Sequence, residues 1–175
     1  AGSTQSFSQT IKEFFSNNSA PLTYLGIDYY HTRLINDPGG NPDDIKNRLY
    51  GSMNDVVIAE MAKNYDIAGA FRRNGGVTPD ITAVTARNEK ANAKDIRSFS
   101  VADFSRLTEA DIAAEVKALS LKDKDGTGLV FIMEGMKKEE KKSYGSVWVV
   151  LFNMKTKKKL VNCVYIVVML AGVFG

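Results

Sequence analysis

Cysteine occurs once in this 175-residue chain, at Cys163, and histidine once, at His31. A single thiol excludes an internal disulfide, and with one histidine the usual zinc sets lack ligands. Proline is scarce at four residues, and glycine, at 14, is ordinary, which excludes collagen-like and low-complexity chains. No Gly-x-Ser-x-Gly elbow, Walker loop or dinucleotide fingerprint occurs, so the common nucleophile and nucleotide chemistries have no signature. The strongest apolar run, residues 164 to 174, spans only about eleven residues, short of the ~18 that mark a membrane helix. No transmembrane segment is expected.

What is present describes a globular protein. Hydrophobic residues make up 44% and charged residues 25%, and the length suits one domain over residues 1–175, with 1–20 as an N-terminal helix and linker. The opening Ala1-Gly2-Ser3-Thr4-Gln5, without an initiator Met, fits either the remnant of a cleaved signal peptide or a chain trimmed at its start, and the first is the preferred reading. The expectation is an exported protein, periplasmic or attached to the cell envelope.

Periodicity supplies the elements. Phe7, Ile11, Phe14 and Phe15 fall at helical spacing behind Ser6, and residues 22 to 35 read as a first strand. Asn41-Pro42-Asp43-Asp44 is a strong helix start, with an Asn cap, Pro at the first helical position and two carboxylates on the positive dipole end. Ile45, Leu49, Met53, Val56, Val57 and Met61 then form one apolar stripe, read as core. Residues 66 to 72 and 81 to 87 read as strands, and 88 to 98 as loop. Thr108 with Asp111 opens a second helix that buries Ile112, Val116 and Leu119. Residues 128–136, 146–153 and 160–168 are strand-length and rich in Val, Ile, Phe or Trp. Together these predict an α+β fold: helices on one face of a mixed sheet that ends in a three-stranded antiparallel meander. The run from Val164 to Phe174 is expected to be central or covered, since an exposed strand so apolar would aggregate.

The net charge of +3 is unevenly placed: residues 137 to 159 carry eight Lys against Glu139 and Glu140, while residues 1 to 136 are net −3. Those lysines flank the middle strand of the predicted meander, and the aromatics lie within strands rather than between lysines. A nucleic-acid partner is therefore not expected, because single-strand binding needs exposed stacking platforms beside the cations. Solvated hairpin turns explain the lysines; an anion site on Lys137, Lys138, Lys141 and Lys142 is the competing reading.

One stretch has the spacing of a calcium loop. From Asp123 to Glu134, carboxylates fall at positions 1 and 3, an oxygen at 5, Gly126 at 6 and Glu at 12, so Asp123, Asp125, Thr127 and Glu134 are candidate ligands. Phe131 stands at position 9, and Gly135 where an exit helix should start. A glycine-rich turn from helix to strand accounts for the same residues. His31 lacks an identifiable orienting carboxylate, Arg72-Arg73 runs into a glycine turn, and Cys163 sits in an apolar strand. No nucleophile–base pair is visible, so neither an enzyme nor a cofactor is expected.

Tyr24-Leu25-Gly26-Ile27-Asp28, the segment Gly126 to Glu134, and Ser146 to Lys158 resemble a group of small exported proteins from Bacteroides-type bacteria. The element order is also similar to envelope modules related to the TolB N-terminal domain. That group has no assigned function, and the resemblance transfers no catalytic residue. With no catalytic constellation visible, the expected function is a non-enzymatic envelope module that binds a protein or a polymer. The alternative is a calcium- or anion-responsive binding protein that uses the Asp123–Glu134 loop or the lysine-bearing turns.

Overall fold

The computed structural model describes residues 10–37, 39–139 and 142–169. Its centre is the long strand β5 (Thr127–Glu139), preceded in the chain by β1 (Leu22–Asp28), β2 (Arg33–Ile35), β3 (Val77–Pro79) and β4 (Arg97–Ser98). β1 pairs with the first half of β5 and β2 with its second half, both parallel. Outside them β3 lies parallel to β1, and β4 parallel to β2, giving the order β3-β1-β5-β2-β4. The other edge of β5 is taken by β6 (Lys142–Asn153), and β7 (Lys159–Met169) follows β6; these two pairings are antiparallel.

The predicted α+β class is thereby corrected to α/β. Every pairing among the first five strands is parallel, and the strand expected to open a terminal meander is instead the axis of that parallel array. Parallel strands need crossover connections, and those connections place helices on both faces, not one. One face carries α5 (Thr82–Asn88) and α6 (Glu109–Ala118), whose Val84, Ile112 and Val116 pack on Leu25, Val130 and Val150. The opposite face carries α1 (Ile11–Ser16), α3 (Tyr50–Glu60) and α4 (Ile67–Ala70) over Tyr24, Leu129, Met133 and Leu151. Alternate residues of β5 thus serve both cores.

Local differences have local causes. The segment read as one strand over 22–35 divides into β1 and β2 at a turn over residues 29–32, where Thr32 N–H donates to Tyr29 O at 3.0 Å and Tyr30 N–H to Asp28 Oδ1 at 2.8 Å. Within β1 the ladder slips between Tyr24 and Ile27 around Gly26 at φ +101°. Residues 66–72 and 81–87, short and apolar enough for strands, are largely helical. Asp66 caps α4 by accepting from Gly69 N–H at 2.8 Å, and Val84 is buried as part of α5. Within 88–98, a 3₁₀ turn (Ala93–Asp95) leads into β4. Thr10 caps α1 in a reciprocal box with Glu13; Ser6 and Phe7 of the expected helix lie outside the described residues. Asn41 caps α2 (Pro42–Asp44), which continues through a π-helical turn (Ile45–Leu49) into α3. Thr108 and Asp111 form the box that their spacing predicts.

Candidate functional site

The π turn and α3 do not close down on the sheet. Of this helix only Ile45, Tyr50 and Asn54 are buried, while Val56 is 50% exposed. Leu49, Met53, Val56 and Val57, the stripe read as core, line an open cleft of about 740 Å³. Its floor is Tyr24 and Ile27 of β1, Phe131, Met133 and Met136 of β5, and Val147 of β6, and its far wall is Tyr65, Ile67, Ala70 and Phe71 around α4. The volume is that of a small-ligand or side-chain pocket, and three methionines give it adaptable walls.

Polar groups in the cleft are few and mostly occupied. Ser52 Oγ donates to Arg48 O at 3.0 Å, Asp66 serves its own helix cap, and Tyr29 OH lies 3.6 Å from Met53 Sδ. The Tyr24 hydroxyl differs: it is buried and has no hydrogen-bond partner among the described residues. Burial holds its pKa well above the ordinary phenol value, so it stays a neutral donor.

A second constellation lies on the opposite face, where β1 meets α5 and α6. Arg87 of α5 bridges two carboxylates, Asp28 (Nε to Oδ2, 2.9 Å) and Glu115, and its guanidinium stacks 4.2 Å from the Tyr30 ring centre. His31 Nε2 meets Glu115 Oε1 at 2.8 Å, and Arg106 donates to the His31 carbonyl at 2.5 Å. Burial raises the Asp28 pKa above 3.8 against the pull of Arg87. Burial, then Arg87 and Arg106, lower that of His31 below 6.5. The arrangement is a charge clamp that ties two helices to the strand end. Asp28, Arg87 and Glu115 were not singled out from sequence. Glu115 did carry a signal, as a carboxylate on the helix face of Ile112, Val116 and Leu119.

The calcium-loop candidates are not brought together. Asp123 and Asp125 lie in the turn before β5, where Lys124 pairs with Asp80 and Asp125 accepts from Gly126 N–H. Thr127 and Glu134 sit on one strand seven residues apart, roughly 23 Å along an extended chain. Glu134 is fully buried, accepting from Ser146 Oγ and Trp148 Nε1, each at 3.1 Å, and from Leu107 N–H. Among the described residues no group of three His, Cys, Asp or Glu side chains is placed to hold a metal ion.

Of the four lysines read as an anion site, Lys137 pairs with Glu139 at 2.7 Å and sits over the Phe104 and Tyr144 rings. Lys138 and Lys142 are exposed beside it at the hairpin end, and Lys141 lies outside the described residues. At the far end of β6, Lys157 donates to the Lys117 and Leu119 carbonyls at the end of α6, and Lys159 pairs with Glu109. These contacts tie the β6–β7 turn to the helix.

Fold and cleft together define, among the described residues, an α/β chain with an open apolar cleft and a separate buried charge clamp. No protein-family model matches the chain, and no curated protein matches it. Two solved structures are similar to it. Lipoprotein GNA1162 from Neisseria meningitidis is 13% identical over 86% of this chain and 83% of that one, with a TM-score of 0.33. The LpoB C-terminal domain from Salmonella enterica is 9% identical over 85% and 82%, with a TM-score of 0.31. No helix among the described residues is long and apolar enough to cross a membrane.

Proposed function

We propose that this protein is a binding module rather than a catalyst, and that it takes an apolar segment of a partner protein into the cleft between α3, α4 and the sheet. The observation that carries the reading is the cleft's lining: Leu49, Met53, Val56, Val57, Phe131 and Met136 face an open space of about 740 Å³. Exposed apolar patches of this kind mark interaction sites, because leaving them in water is unfavourable unless a partner covers them. Aromatic and methionine side chains suit a peptide's apolar anchors.

The test is selection of displayed peptides on the folded protein, followed by counter-measurement on Val56→Glu. Val56 is exposed, so this charge enters the rim without entering the core. Selected peptides should share apolar anchors and lose at least tenfold in affinity for the variant. Peptides that bind both proteins equally would place the site elsewhere. We further propose export to the cell envelope, on the resemblance carried by residues 24–28, 126–134 and 146–158. Fractionating source cells with a specific antibody tests it, and a purely cytoplasmic pool overturns it.

A further inference from the structure

The two ends of the sheet are finished differently. At one end the outer strands are β3, three residues long with Pro79 in it, and β4, two residues long with Arg97. Short strands, proline and charge are the ordinary means of blunting an edge against further pairing. At the other end lies β7, 11 residues from Lys159 to Met169, paired only with β6 among the described residues. Beyond Lys159 it has no charged residue and no proline, and Tyr165 on it is 52% exposed. The run expected to be central or covered is therefore, as far as residue 169, an edge.

We propose that β7 pairs antiparallel with β7 of a second copy, joining two sheets across a two-fold axis close to Cys163. The choice of a second copy rests on charge and register. A two-fold axis sets each residue opposite one equally far beyond the axis, so a charge on the axis meets its own like charge. β7 avoids this conflict. With the axis at Cys163, Val161 falls opposite the partner copy's Tyr165, and Lys159, the strand's one charge, opposite an uncharged position. Such pairing satisfies the free backbone groups of both edges and closes on itself, so the product is a dimer and not a fibre. The cleft plays no part in this inference.

The experiment is sedimentation equilibrium of the whole chain under reducing conditions, with Cys163→Lys and Cys163→Glu measured singly and as an equimolar mixture. The unaltered protein should sediment as a dimer. Each variant alone should be monomeric, with unchanged far-ultraviolet circular dichroism and Trp148 emission. The mixture should regain the dimer, because opposite charges now face each other. A monomer at every concentration, an open-ended series of larger species, or a dimer that persists in both single variants would each overturn the proposal. If either variant fails to fold, the double variants Val161→Lys/Tyr165→Lys and Val161→Glu/Tyr165→Glu replace them, since positions 161 and 165 face each other across the axis and the same outcomes are expected.

Discussion

Asn54 and Ile27 are joined by a reciprocal pair of hydrogen bonds: Ile27 N–H donates to Asn54 Oδ1 at 2.7 Å, and Asn54 Nδ2 donates to Ile27 O at 3.0 Å. The carboxamide does what a neighbouring strand's peptide group would do. β3 pairs with β1 only from Leu22 to Tyr24, so the backbone at Ile27 has lost its ladder partner on that side. Asn88 of α5 continues the substitution, accepting from Tyr29 N–H at 2.7 Å and donating to Ile27 O at 3.1 Å.

Asn54→Ala should therefore lower stability by about 1–3 kcal/mol, the cost of stranding a buried peptide group. Urea unfolding followed by Trp148 fluorescence measures it. A change within a few tenths would mean that water serves Ile27 equally well.

Gly135 is a steric requirement. A Cβ there would stand 2.5 Å from Phe104 O and 2.7 Å from Phe104 Cα, both backbone atoms of the 3₁₀ turn Val101–Phe104. Gly135→Ala should cost roughly 1–3 kcal/mol by overpacking, and should raise amide exchange in that turn more than in α6. Equal exchange in both would point to a global rather than a local effect.

His31 gives one imidazole resonance, since it is the only histidine. Its folded pKa lies below 6.5, so the unfolded chain binds the proton more readily. Its contribution to stability is complete above pH 6.5 and is lost as pH falls through the folded value. Asp28 has the opposite sign: its pKa is raised above 3.8, so its contribution is complete below that and is lost as pH rises through the raised value. Nuclear magnetic resonance should place the imidazole midpoint below 6.5, and Arg33→Gln should move it up, because Arg33 also disfavours the imidazolium. A midpoint above 6.5 would mean that Glu115 dominates its surroundings.

Glu134 is held by three donors. Glu134→Gln turns an NH₂ group towards at least one of them and should lower the unfolding midpoint and shift Trp148 emission. Calcium should leave the midpoint of either protein unchanged, since Asp123 and Glu134 belong to different parts of the fold. A calcium-dependent rise would restore the loop as a metal site.

Helix starts were legible because capping is local: Asn41, Thr108 and their carboxylate partners act within four residues. Strand-length apolar runs in the last third were legible for the same reason. The sheet's direction was not, since parallel pairing of β1 with β5 joins residues about a hundred positions apart, and alternation along a strand does not report its neighbour's sense. The helical stripe from Ile45 to Met61 was visible as apolar, but apolar periodicity cannot distinguish a face that is covered from one that lines a cleft. The calcium-like spacing does not gather its residues, because a count along the chain assumes a loop. An extended strand carries its twelfth residue away from the first.

The π turn from Ile45 to Leu49 bears on descent. Such a turn holds one residue more than the α-helical path it replaces, and one residue turns an α-helix by about 100°. Everything from Tyr50 onward, including Asn54 and the cleft-lining Met53 and Val56, owes its rotational phase to that added residue. A relative without it should show a one-residue gap between positions 45 and 49. That relative would need a different residue to reach Ile27, so the gap and the identity of the residue replacing Asn54 should change together. The turn thus supplies a marker by which lineages sharing this cleft can be separated from those sharing only the sheet.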